Sequence, residues 1–268
     1  YLEKLVRWAS HNQESANSAQ MSIFDMSDEI KHEAHPAIPE CPTWSLLEQC
    51  RNEFEVIGFY LSGHPLDTYK WEMKYHVKTP VDELNRIEQF LTKGEFCVGG
   101  MVTDVKTGIS PKNGDPYGFL TLSDNSGSYT FRLYGNEFMT YKNYFEKDLF
   151  LYIRGYPKQN RYKDKDGVEK TGRIYIKLTQ IMTLSKVLNQ YTKLIRFKVQ
   201  LNHITPEFCK DLEEIARKNK GNVPMEVEIL DPAHNLNLTL RTRDLKVDPR
   251  SILPLLEKLP QVSDIKLN

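Results

Sequence analysis

The chain has 268 residues, 40% of them hydrophobic and 27% charged, ordinary proportions for globular domains and length enough for about two of them. No apolar run approaches the ~18 residues a membrane-spanning helix needs, and no signal-peptide pattern opens the chain. Basic and acidic residues balance at 36 each, which excludes a uniformly basic or acidic protein; charge is local instead. Residues 12–42 carry six acidic side chains against Lys31 alone, and residues 146–177 carry nine basic against five acidic, so the two regions are expected to have different partners. The chain opens on Tyr rather than Met, and a piece of a longer polypeptide is expected. Cys41, Cys50, Cys97 and Cys209 form no CxxC pair, so reduced thiols in a cytoplasmic protein are expected rather than disulfides or zinc.

Leu2, Leu5, Val6 and Trp8 recur at helical spacing, which predicts the end of a helix. Residues 11–42 then read as a polar, acidic linker whose last part, "HPAIPECP", holds Pro36, Pro39 and Pro42 extended. Met21, Ile23, Phe24 and Met26 are stranded inside it. Residues 43–92 predict a helical hairpin: Thr43 as N-cap, an apolar face of Leu46, Leu47, Cys50, Phe54 and Ile57, then a turn at "SGHP" and a second helix from Pro65.

Residues 93–186 change period. "FCVGGMVTDVKTG", "YGFLTLSDNSG", "SYTFRLYG", "LFLYIRGYPKQ" and "RIYIKLTQIMTL" read as five strands, with a short helix around Phe138 and Tyr141 between the third and fourth. That order is the order of an oligonucleotide-binding (OB) barrel, with Gly99 and Gly100 at an expected bulge and "DNSG" as a hairpin turn. Residues 187–268 alternate β-α-β-β-α-β. Thr205 and Pro206 open the first helix there and Gly221 is expected to end it, which predicts a small ferredoxin-like α/β domain. The expected fold class is thus α+β and multidomain, with a helical hairpin, a five-stranded OB-type barrel and this C-terminal domain.

Ser62, His64 and Asp67 lie within six residues, but catalytic triads assemble from separated segments, and these residues suit a turn. His32 and His35 do not make an HExxH pair. With no phosphate-binding glycine loop either, the segment is expected to be a set of non-catalytic binding modules needing no metal or cofactor. Strand alternation places Leu120 and Leu122 inside the barrel and Tyr117 and Phe119 outside; Phe131 and Leu133 point in, Arg132 and Tyr134 out. Lys106 and Lys112 flank the first connection. Lys158, Arg161, Tyr162, Lys163, Lys165 and Arg173 flank the one between strands four and five. Aromatic platforms among cations are what single-stranded nucleic acid requires, and these twelve residues are the expected contacts.

"EFEVIGFYLSGHPLDTY" resembles the segment that precedes the OB domain in the alpha, or catalytic, subunit of bacterial DNA polymerase III. The OB and C-terminal α/β order, and a Q-x-x-aliphatic-F element about thirty residues ahead of that corner, follow the same plan. The resemblance spans essentially the whole chain and implies the C-terminal region of a DNA-directed DNA polymerase (a nucleotidyltransferase) whose catalytic palm lies upstream. It implies a sliding-clamp motif at Gln20, Met21, Ser22, Ile23 and Phe24, with Met21 and Ile23 where the family usually has Leu. It further implies single-stranded template DNA on the OB barrel, and docking of the C-terminal domain on the tau subunit of the clamp loader. The alternative is a stand-alone OB module for RNA or tRNA.

Overall fold

The structure, a computed structural model, describes residues 1–17, 35–163, 169–234 and 236–268. The expected clamp motif Gln20–Phe24, His32 and Lys165 lie outside the described residues. The chain divides into two compact units, Tyr1–Phe59 and Tyr60–Asn268.

In the first unit, helix α1 spans Leu2–Asn17 and so runs through the start of the expected linker. "HNQESAN" contains no Pro or Gly, and Gln13, Glu14 and Ala16 are good helix formers. The Trp8 ring lies 4.8 Å from that of His35, and the Tyr1 hydroxyl donates to the Pro36 carbonyl at 3.2 Å. Helix α2 spans Leu46–Ile57 and is capped by Ser45 rather than Thr43. Ser45 and Glu48 form a reciprocal capping box, and the Ser45 N–H and hydroxyl hold the Glu48 carboxyl below its usual pKa. Gly58, at φ +86°, ends the helix by donating to the Phe54 carbonyl. Of the predicted apolar face only Cys50 is buried; Leu46, Leu47, Phe54 and Ile57 are exposed.

The second unit opens with a 3-10 turn, Pro65–Tyr69, and helix α3, Lys70–His76. The expected hairpin therefore straddles the units, with α2 in the first and α3 in the second. His64 and Asp67 cap the turn: the Asp67 carboxylate accepts from the His64 N–H at 2.7 Å, and His64 Nδ1 accepts from the Leu66 N–H. A further 3-10 stretch, Val81–Gln89, and the single turn α4, Phe90–Lys93, lead into the first sheet.

That sheet holds β1 (Phe96–Ile109), β2 (Pro116–Ser123), β3 (Ser128–Tyr134), β4 (Phe150–Lys163) and β5 (Glu169–Thr183), with helix α5 (Gly135–Tyr141) between β3 and β4. Its order is β3-β2-β1-β4-β5 with antiparallel neighbours, an OB-type arrangement. Val98, Val102, Leu120, Leu122, Phe131, Leu133, Leu151 and Ile153 fill its concave side. The Asp124 turn closes the β2–β3 hairpin and also receives the Val81 N–H at 3.0 Å. Gly99 and Gly100 do not form the bulge, which lies between Val102 and Asp104. A Cβ on Gly100 would sit 2.5 Å from the Ser123 carbonyl oxygen, so this glycine serves close strand approach.

The expected closed barrel is open. Among the described residues no main-chain hydrogen bond joins β3 to β5. Side chains take the edge groups at both ends instead: Asn85 Nδ2 donates to the Ser128 carbonyl at 3.2 Å, and Glu137 Oε1 accepts from the Leu178 N–H at 3.3 Å.

Helix α6 (Leu184–Tyr191) continues directly from β5, followed by β6 (Ile195–Gln200), α7 (Pro206–Lys218), β7 (Lys220–Asp231), β8 (Leu236–Val247), α8 (Pro249–Lys258) and β9 (Val262–Leu267). Thr205 caps α7 as the sequence predicts, but the helix ends at Lys218; a Cβ on Gly221, within β7, would lie 2.4 Å from the Asp248 nitrogen. The sheet order is β8-β7-β6-β9, with β6 and β7 parallel neighbours. A ferredoxin-like sheet would insert the third strand, β8, between them. β8 is exposed on both faces through most of its length, whereas Met225 and Val223 make β7 fit for the interior position. Leu188 of α6 and Trp71 of α3 join the core of this second sheet, while Leu184 and Val187 pack with Tyr152 and Met182 of the first.

Candidate nucleic-acid interface

On the convex side of the first sheet, register decides which side chains meet. Tyr117 of β2 stands opposite Tyr134 of β3, Phe119 opposite Arg132, and Lys106 of β1 on the other flank of Phe119. The Phe119 ring lies 5.2 Å from that of Tyr117 and 6.2 Å, edge-on, from that of Tyr134. The Arg132 guanidinium carbon sits 6.0 Å from the Phe119 centroid, and Arg132 makes no ion pair with a carboxylate among the described residues. Tyr134 is 57% exposed, enough to offer a full ring face. Four predicted residues thus form one continuous aromatic-cationic platform, with Lys106 at its margin.

Gly108 makes the platform possible. It pairs with Tyr117, and a Cβ there would lie 2.8 Å from the phenolic oxygen and 2.9 Å from Cζ, so only glycine lets this ring lie over β1. Lys112 lies exposed in the β1–β2 turn, which Gly114 (φ +72°) and the Ser110 N–H to Asp115 carbonyl bond shape.

The remaining predicted residues lie on the β4–β5 ribbon. Lys158 is exposed opposite Tyr175, and Arg173 is exposed two residues before it. Arg161, Tyr162 and Lys163 extend β4, their main chains paired with Thr171, Lys170 and Glu169. Sequence reasoning missed Tyr156, Tyr175 and Lys177, which share this outer face. The alternations Tyr156/Lys158 and Arg173/Tyr175/Lys177 carried the signal.

Between β3 and β5 the open seam is a groove of ≈ 740 Å³, which Arg132 and Tyr134 line from one edge and Tyr175 from the other. Its lining is aromatic, with Arg132 as the one cation and Glu137 as the one anion among the described residues. Glu137 lies in it but is engaged by the Leu178 N–H and by Lys177 at 3.5 Å.

Residues 195–266 match the family described as DNA polymerase III alpha subunit, C-terminal domain. The chain matches the C-terminal region of the DNA polymerase III alpha subunit. It is 26% identical over 264 residues to that subunit from Vibrio cholerae, which covers 97% of this chain and 21% of the relative. The Haemophilus influenzae subunit is 25% identical over 86% of this chain and 19% of its own length, and that of Neisseria meningitidis serogroup B is 27% identical over 72% and 15%. The chain therefore spans about a fifth of the length of these relatives. The crystal structure of the S. cerevisiae mitochondrial single-stranded DNA binding protein Rim1 overlaps 34% of this chain and 91% of its own, at 13% identity and a TM-score of 0.23, too slight a superposition to bear on fold or ligand. No described helix is long and apolar enough to cross a membrane.

Proposed function

We propose that this chain is a non-catalytic, cytoplasmic accessory region of a replicative DNA polymerase, and that its OB-type sheet holds single-stranded template DNA. The observation that carries this reading is the Arg132–Phe119 stack flanked by Tyr117 and Tyr134. Bases stack on aromatic rings whatever their sequence, each contributing roughly 1–3 kcal/mol, and cations alongside attract the phosphates. Fluorescence anisotropy of the whole chain with a labelled oligodeoxynucleotide tests it. Phe119→Ala should raise Kd at least several-fold, and equal binding by both proteins would remove the reading.

The same proposal gives the other regions their partners. Gln20, Met21, Ser22, Ile23 and Phe24 act as a short linear motif for a sliding clamp, with Ile23 and Phe24 entering an apolar pocket and Gln20 hydrogen-bonding at its rim. Burying two such side chains contributes roughly 3–6 kcal/mol, much of it offset by ordering the peptide at about 1–2 kcal/mol per residue. The contact is then weak alone and effective when tethered beside DNA. Titration of a clamp with the chain and with Gln20→Ala/Phe24→Ala should separate the two proteins. The C-terminal domain docks on the tau-like subunit of the clamp loader, an assignment supported by its family match and position in the chain.

A further inference from the structure

The open seam between β3 and β5 is more than a missing row of hydrogen bonds. Ser128 directs its carbonyl out of the sheet to Asn85, and main-chain groups in a strand alternate sides, so Thr130, Arg132 and Tyr134 direct their N–H and C=O groups the same way. Those groups face the ≈ 740 Å³ groove rather than a neighbouring strand. Facing them across the groove is the edge of β5, with Ile174, Ile176 and the 38% exposed ring of Tyr175. The seam therefore offers fixed donors and acceptors in its floor and aromatic walls at Tyr134 and Tyr175, with Arg132 in its lining and Lys158 and Arg173 on the adjoining β4–β5 ribbon.

We propose that this seam is a base-recognition cleft, in which one or more bases of a single strand leave the Phe119 platform, pack against Tyr175 and hydrogen-bond through their edges to the open margin of β3. The inference rests on the single-strand reading above and adds what a flat platform cannot give, a dependence on base identity. An extended peptide could also use a free strand edge, but the aromatic walls and the continuity with the Phe119 platform through Arg132 and Tyr134 favour a polyanion with flat apolar faces. Stacking on Phe119 tolerates any base; main-chain hydrogen bonds at fixed positions do not.

The test measures the affinities of the full chain for dT, dC and dA oligodeoxynucleotides of equal length by fluorescence anisotropy, for the wild type, Tyr175→Ala, Tyr175→Phe and Phe119→Ala. Wild type should distinguish the homopolymers. Tyr175→Ala should weaken the preferred one about fivefold or more and narrow the spread, and Tyr175→Phe should keep both. Phe119→Ala should weaken all three. If Phe119→Ala binds more weakly while Tyr175→Ala matches wild type for every oligonucleotide, the cleft is wrong and the platform stands; if neither variant changes binding, both fall. A readout on the unmodified protein guards against misfolding of the variant. Photocrosslinking with a 5-iododeoxyuridine oligonucleotide should label the peptide containing Tyr175, and label confined to the peptide containing Phe119 overturns the cleft.

Discussion

The two sheets of the second unit each leave part of one face open to solvent, and the arginines at the centre of those two faces have different neighbours. On the C-terminal sheet, Arg196 reaches Glu226 at 2.6 Å and Glu228 at 3.3 Å, Lys198 reaches Asp264 at 2.7 Å, and Lys266 reaches the same carboxylate at 3.2 Å. Every cation in that ladder has a neighbouring anion, and the face is at peace with water. On the OB-type sheet, Arg132 lies over an aromatic ring and, among the described residues, makes no ion pair with a carboxylate. A cation balanced within the fold has little left to offer a ligand; one resting on a ring keeps its charge available to a phosphate. Count alone would not separate the faces, since both are rich in Lys and Arg. What separates Arg196 from Arg132 is what register places across from each: Glu226 opposite the first and Phe119 opposite the second.

Charge reversal breaks the comparison most severely. Arg132→Glu should raise the Kd for single-stranded DNA by about tenfold or more and flatten its salt dependence, because each lost phosphate contact removes about 0.7 from the log–log slope. Arg196→Glu on the other sheet should leave both quantities unchanged in the same titration. Gly108→Ala comes next: the added methyl displaces the Tyr117 ring from β1, and affinity should fall about two- to fivefold with no change in unfolding midpoint. Arg196→Ala should act only on stability. It leaves Glu226, which is 9% exposed, without its closest partner, and chemical denaturation should show a loss of about 1 kcal/mol, the low end for an unpaired group because Arg196 itself is half exposed.

The smallest effect is the pH dependence of the ladder. Hydrogen bonds from Lys198 and then Lys266 hold the Asp264 carboxyl below its usual pKa. A carboxylate depressed on folding contributes stability that is present above its unfolded pKa of about 3.9 and is lost as pH falls through the folded value. Wild type should therefore be slightly more stable than Asp264→Asn at neutral pH, and thermal melts should show that margin disappearing below about pH 4.

Local chemistry was legible in the sequence, and long-range pairing was not. Thr205 and Pro206 announced α7, and the alternation of Leu120 and Leu122 with Tyr117 and Phe119 gave the two faces of β2 correctly, because capping and pleat depend on adjacent residues. The platform followed from that alternation once β2 and β3 were joined by a tight turn. The order β-α-β-β-α-β, in contrast, does not say which strands are neighbours, and the ferredoxin-like expectation failed on the poorly buried β8. The seam was invisible for the same reason: β3 and β5 lie some forty residues apart, and nothing local in "SYTFRLY" or "RIYIKL" states that their edges stay apart. The alternation Arg173/Tyr175/Lys177 places Tyr175 on the outer face, but the groove beside it depends on the distant β3 and has no local signal. Ser45 displaced Thr43 as a cap since Glu48, three residues on, completes its box and no acid stands in that place for Thr43.

The unbroken run of β5 into α6 has a mechanical consequence. Leu184 and Val187 are rooted in the first sheet's side of the unit, Leu188 in the second core, and Trp71 of α3 braces the same junction. A strut anchored at both ends leaves no hinge between the sheets. Residues 60–268 should melt in a single calorimetric transition, and tension on a strand held by the first sheet would be borne directly by the second.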